Sequence, residues 1–222
     1  MKKNILIVGD SLGLPRENIS YDKTWPFKLT SSLQDYHIIS KLQRALTTVM
    51  INSGVLFDWL EFYTPSDVIL QVGIVDCSPR YIKNGGLLMK LIGISPSFIK
   101  SNIWKLIKRF GNRSSKNADV SVEDFEKNLL KYINRCEKIK VERIFLIKIA
   151  KSGTAMIKQS PQVLKQIELY NKVIDKIGDV KQNCIVIPEL ANADDTYFLE
   201  DGYHLNEYGN EQLFKGIIKY YS

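Results

Sequence analysis

Short apolar runs alternate with longer amphipathic stretches along this chain. Ile5 to Val8, Tyr36 to Leu42, Val68 to Val72, Ile144 to Ile149 and Cys184 to Ile187 are brief, rich in β-branched residues and bounded by polar or turn residues, which predicts five strands. Between them the apolar positions recur at helical spacing. This predicts helices over about Thr24 to Leu33, Thr48 to Phe62, Val122 to Ile139, Pro161 to Ile177 and Glu207 to Tyr220. Ser121 with Asp124 three residues on forms a capping pair, and Ser160-Pro161 reads as a cap followed by proline at the first helical position. Strands alternating with helices predict a parallel sheet covered on both faces, and ligand sites in such sheets lie at the carboxyl ends of the strands. No repeat or low-complexity tract interrupts the pattern, so 222 residues are read as a single domain, 1–222.

One segment departs from the alternation. From about Tyr81 to Asn117, after the third strand, Gly85-Gly86 opens an apolar run from Leu87 to Ile94. Ile99, Ile103, Leu106, Ile107 and Phe110 then recur at helical spacing. The segment is expected to be an insertion of one or two amphipathic helices that could form a lid. The net charge of +7 changes the picture of this segment, because Lys83, Lys90, Lys100, Lys105, Lys108, Arg109, Arg113 and Lys116 fall in it with no acidic residue among them. The rest of the chain is close to neutral. The excess can be a solvated helix face, a contact with an anionic glycan or lipid at a membrane surface, or a protein contact. No nucleic-acid-binding module accompanies it, so nucleic acid is not expected as a partner. The apolar run behind Met1-Lys2-Lys3 is too short for a signal-peptide core and no run is long enough to span a bilayer. Cys77, Cys136 and Cys184 suggest neither a disulfide framework nor a zinc site. A cytoplasmic location is the expectation.

The chemistry lies near the two ends. Ser11 ends the run Ile5-Leu6-Ile7-Val8-Gly9-Asp10-Ser11, and Asp201-Gly202-Tyr203-His204 precedes the last helix. A serine hydroxyl needs a base to become a nucleophile, and an imidazole held in one tautomer by a carboxylate is such a base. Asp201 and His204 are three residues apart, so one turn can bring them together. The other histidine, His37, falls inside a strand pattern and is read as structural, and Cys77 as buried packing.

The order Ser, Asp, His with this short Asp-His gap resembles the SGNH (GDSL-type) esterase and lipase family, and Asp201-Gly202-Tyr203-His204-Leu205-Asn206-Glu207-Tyr208-Gly209 is similar to its last block throughout. The resemblance implies a flavodoxin-like three-layer α/β/α sandwich with a parallel sheet of about five strands and a helical insertion after the third. It also implies ester hydrolysis with Ser11, His204 and Asp201 as catalytic residues, and no metal or organic cofactor. Two blocks depart from the family. In Gln71-Val72-Gly73-Ile74-Val75-Asp76-Cys77, Gly73 and Asp76 are kept, but Val75 takes the place of the oxyanion-hole Asn. In Gln43-Arg44-Ala45-Leu46, Ala45 or Leu46 stands for a glycine. The implied oxyanion donors are then the backbone N–H of Ser11, beside Asp10, and that of Ala45 or Leu46. Arg44 or Arg80 is expected to approach the Ser11 hydroxyl in place of the Asn. Asp76 is expected to brace the Ser11 loop or to touch the chemistry directly. The run from Gly73 to Arg80 resembles a subgroup found with bacterial surface-polysaccharide biosynthesis, which implies a small acyl ester, such as an O-acetyl group, on a carbohydrate. Acyl transfer to a glycan, or glycan binding without catalysis, remain alternatives.

Overall fold

The computed structural model describes residues 2–53, 58–83 and 86–221. The strands are β1 (Lys3–Gly9), β2 (Tyr36–Leu42), β3 (Asp67–Gln71), β4 (Arg143–Ile147) and β5 (Cys184–Ile187). They form one sheet in the order β2-β1-β3-β4-β5, and each neighbouring pair is parallel. The helices are α1 (Trp25–Ser32), α2 (Trp59–Tyr63), α3 (Ile74–Cys77), α4 (Leu87–Ile94), α5 (Ser97–Phe110), α6 (Val122–Lys138), α7 (Thr154–Gln159), α8 (Val163–Val180) and α9 (Glu207–Ile218).

The strands read as unbroken apolar runs because the sheet is covered twice. In β1, Leu6 and Val8 join the core under α6 and α8, while Ile5 and Ile7 join the core under α1 and α9. The same alternation divides Ile144 and Leu146 from Phe145 and Ile147 in β4. Slipping a strand by one residue would swap the two sets between differently shaped cores, so the register is tightly specified. The result is the three-layer sandwich expected from the alternating pattern. The insertion after β3 takes the form of α4 and α5.

Two helix expectations need correction. Thr48 to Phe62 is not one helix among the described residues: Met50–Asn52 make a 3-10 turn, and helix resumes only at α2. Residues 54–57 of that stretch and Gly85 of the insertion lie outside the described residues. Thr48 Oγ1 donates to Asp76, and Asn52 Nδ2 donates to the carbonyls of Thr48 and Asn128. Such side-chain bonds compete with helical ones. At Ser160-Pro161 the helix starts later than expected, with Gln162 at the cap position of α8. The Ser121 cap is present, its Oγ accepting from Asp124 N–H at 3.1 Å.

Candidate active site

β1 ends at Gly9, and Asp10 turns the chain by accepting the Leu12 N–H on its carboxylate at 2.9 Å. A single 3-10 turn, Ser11–Gly13, follows and holds Ser11 at the carboxyl edge of the sheet. From the other end of the chain, the segment before α9 is clasped by a bridge between Phe198 and Leu205. Within it the Asp201 carboxylate accepts the backbone N–H groups of Tyr203 and His204, at 3.1 and 3.0 Å. Gly202 carries the turn at φ 76°, where a Cβ would stand 2.8 Å from the Met156 nitrogen. Glycine is therefore required there.

This turn aims Asp201 Oδ2 at His204 Nδ1, 2.6 Å away, and His204 Nε2 lies 3.2 Å from Ser11 Oγ. With Nδ1–H given to the carboxylate, Nε2 is left as the acceptor for the serine proton. Burial pushes the His204 pKa down, against the opposing pull of Asp201, and the charges of Arg16 and Arg44 lower it further. For Asp201, burial works upward, but the hydrogen bonds from the His204 ring and from the His204 and Tyr203 backbone outweigh it and hold the carboxyl below its ordinary value. Serine, imidazole and carboxylate thus stand in a line that can take a proton from Ser11 when no other donor holds His204 Nε2. Ser11 and Asp201 border a cavity of about 480 Å³ whose walls also include Ala45, Val75, Tyr81, Trp104 and Tyr203. Trp104 belongs to α5, so the insertion forms one wall of this cavity.

Of the two residues expected in place of the family glycine, Ala45 is the one with a left-handed backbone, φ 59°, and it borders the cavity. Leu46 is buried in the core and its N–H is taken by the Gln43 carbonyl at 3.4 Å. Among the described residues no acceptor takes the N–H of Ser11 or of Ala45. Gly73 precedes α3 at φ 119°, where a Cβ would come within 2.6 Å of Ile149, so it sets the path of Val75 along the cavity.

Asp76 braces a different loop from the one expected. Its carboxylate accepts from the Thr48 N–H at 2.9 Å and hydroxyl at 2.6 Å, tying down the segment that carries Ala45. Burial raises the Asp76 pKa to about 6 and that of Asp10 to about 7. Cys77 is fully buried, and burial pushes its thiol far above the ordinary range, which leaves it as packing. His37 lies exposed on β2, away from the cavity.

The expected role of Arg80 is overturned by its partners: it borders the cavity, but its guanidinium pairs with Asp119 at 2.5 Å and donates to the Val75 carbonyl. Arg44 is exposed, and its charge reaches His204 without a hydrogen bond to the Ser11 hydroxyl. The arginine that reaches the pair is Arg16, which the pattern did not single out. Its Nη2 donates to His204 Nε2 and, at 3.5 Å, to the Ser11 carbonyl. The only sequence signal for it is a charge in the loop five residues after Ser11.

No family model matches the chain, and no curated protein sequence matches it. Solved structures do match its shape. TesA superposes with a TM-score of 0.66 at 14% identity over 98% of this chain and 97% of its own. A lipase/acylhydrolase from Enterococcus faecalis gives 0.65 at 18% identity, covering 98% and 94%. Axe2, an acetylxylan esterase from Geobacillus stearothermophilus, gives 0.64 at 14% identity, covering 99% and 95%. At these identities the likeness establishes the fold. The chain has the three-layer α/β/α architecture shared by these structures, over nearly their whole length.

Proposed function

We propose that the protein is a serine ester hydrolase of the SGNH type, acting on a small acyl ester. The carrying observation is the Ser11–His204–Asp201 line, assembled from opposite ends of the chain at the mouth of a cavity. Ser11 Oγ attacks the ester carbonyl as His204 Nε2 takes its proton. Asp201 holds the ring and stabilises the imidazolium. The tetrahedral oxyanion is held by the N–H groups of Ser11 and Ala45. His204 then returns the proton to the departing alcohol, and water releases the acyl group by the same route. An O-acetyl group on a carbohydrate is the substrate class favoured by the acetylxylan esterase among the structural neighbours.

The insertion adds a second surface to this reading. α4 and α5 expose Ile94 and Phe98, at 82% and 68%, in the segment that holds the basic excess, which suits contact with an anionic lipid surface. No helix among the described residues is long and apolar enough to cross a membrane.

The test of the chemistry is labelling by a fluorophosphonate probe. The wild type is expected to form a covalent adduct at Ser11, and Ser11→Ala and His204→Ala are expected to lose both adduct and esterase turnover together. Turnover near wild type in Ser11→Ala would sink the assignment.

A further inference from the structure

Arg16 occupies the place where the base must receive a proton. Its Nη2 donates to His204 Nε2, the atom that also faces the Ser11 hydroxyl. An sp² imidazole nitrogen has one lone pair. While the guanidinium holds it, the serine proton has no good acceptor, so turnover requires Arg16 to be drawn away.

The surroundings indicate what draws it. Arg16 Nε is buried and has no hydrogen-bond partner among the described residues. Nε and Nη2 lie on the same edge of a guanidinium and match the two oxygens of a carboxylate. No protein carboxylate among the described residues forms an ion pair with Arg16, and the same holds for Arg44 and for Arg113, which is bound to Gln159 and stacked on Tyr81. Asp201, already bound to His204, is the one carboxylate among the described residues of the cavity wall. Arg16 and Arg44 both act on the charge of His204, and Arg16 and Arg113 on that of Tyr203, against the opposing charges of Asp201 on both groups and of Asp10 on Tyr203. The backbone of Arg16 is fixed by its reciprocal bonds with Ile19, at 2.8 and 3.0 Å. Its side chain can therefore move without unfolding the loop.

We propose that the ester carries a carboxylate beside its scissile acyl group, and that this carboxylate takes the Nε–Nη2 edge of Arg16 and so releases His204 Nε2 to accept the Ser11 proton. The inference rests on the hydrolase reading and narrows its substrate to acyl esters of acidic alcohols, such as acetylated sugar acids. Binding exchanges one set of hydrogen bonds for another, with Arg16 Nη2 passing from Nε2 to the carboxylate. The Ser11 O–H then takes its place on Nε2, and no proton changes owner until the ester is attacked. Arg16 is a positioning residue toward the base and a recognition residue toward the substrate.

The test compares meta-acetoxybenzoate with its uncharged amide. The wild type is expected to favour the anion in kcat/KM by about tenfold or more, the scale of a charge-assisted bidentate contact. In Arg16→Ala that preference should vanish, and activity on the amide should rise above wild type because nothing now occupies Nε2. Arg16→Lys should restore only part of it. Equal losses on both esters would overturn the proposal and make Arg16 an oxyanion donor, and unchanged rates on both would overturn it as well. A second readout needs no turnover: Ser11→Ala should bind meta-hydroxybenzoate in calorimetry, and adding Arg16→Ala should weaken that binding by about tenfold. If neither ester is cleaved but this difference persists, the anion site stands and the hydrolase reading falls. If the difference is absent, the anion site falls.

Discussion

His204 is pulled in two directions, and in the proposed hydrolysis that balance sets the pH range. Burial and the charges of Arg16 and Arg44 favour the neutral ring, while Asp201 favours the imidazolium, and the net shift is downward from 6.5. The ring that the proposed hydrolysis uses as its base is therefore mostly unprotonated at pH 7 and above. The acid limb of kcat/KM is expected to have its midpoint below 6.5, and a pH–rate profile checks it. A midpoint above that value would mean that the carboxylate dominates. Asp10 makes the opposite kind of prediction, about stability. Burial raises its pKa from 3.8 to about 7, so the folded chain keeps a proton that the unfolded chain releases. That contribution is complete below the unfolded value and is lost as pH rises through the folded one. Asp10→Asn keeps a cap oxygen for Leu12 but has no such titration. Urea denaturation is expected to show the variant gaining on wild type by roughly 2 kcal/mol between about pH 5 and about pH 8. A constant difference would mean that Asp10 is ionised across the whole range. Ser11, Asp201 and His204 were legible in the sequence because each sits in a local pattern that dictates its turn. Arg16 was not, because its meaning comes from a histidine 188 positions away.

β3 and β4 start from an ion pair between a buried carboxylate and a half-buried guanidinium, at the edge of the sheet remote from Ser11. The register pairs Asp67 with Arg143, and the guanidinium grips both carboxylate oxygens, at 3.0 and 2.6 Å, while Nη1 holds the Tyr220 carbonyl beyond α9. Asp67 is 1% exposed, so removing its partner strands a buried charge. Arg143→Ala is expected to destabilise the fold by about 3 kcal/mol, more than Lys3→Ala at the exposed Glu142 pair does, as read by the shift in urea midpoint. A loss below about 1 kcal/mol would show that water reaches Asp67. The strands themselves could be read from the sequence because double burial leaves only apolar residues to choose from. α7 could not, because its first turn is capped from afar: Asp195 accepts the Thr154 N–H at 2.6 Å and hydroxyl at 2.5 Å across 41 residues. The predicted helix at Thr48 failed for a related reason, since Asp76 on α3 claims the Thr48 hydroxyl and N–H that a helix would have organised.

The uneven charge of the whole molecule was visible in the sequence, and so was the amphipathic spacing of the insertion. Which way its helices face was not, because both an inward and an outward apolar side are present. Trp104 lines the cavity, whereas Leu91, Ile94, Phe98 and Leu106 are exposed at 51%, 82%, 68% and 57%. Large apolar side chains exposed in this way in a segment rich in lysine would aggregate or bind, and the positive charge of the segment favours an anionic partner. A bilayer containing phosphatidylglycerol offers both a negative surface and an apolar layer beneath it. The protein is expected to co-sediment with such vesicles and not with pure phosphatidylcholine, and to be released as salt rises past the range where surface charges are screened. Replacing Ile94 and Phe98 together by Glu should weaken vesicle binding by at least about tenfold, since it removes two apolar side chains that would enter the bilayer and adds two negative charges that an anionic surface repels. The same double variant should cleave a soluble ester at the wild-type rate, because neither side chain borders the cavity. Equal sedimentation of wild type and double variant would remove the lipid surface from this account and leave α5 with the cavity wall alone.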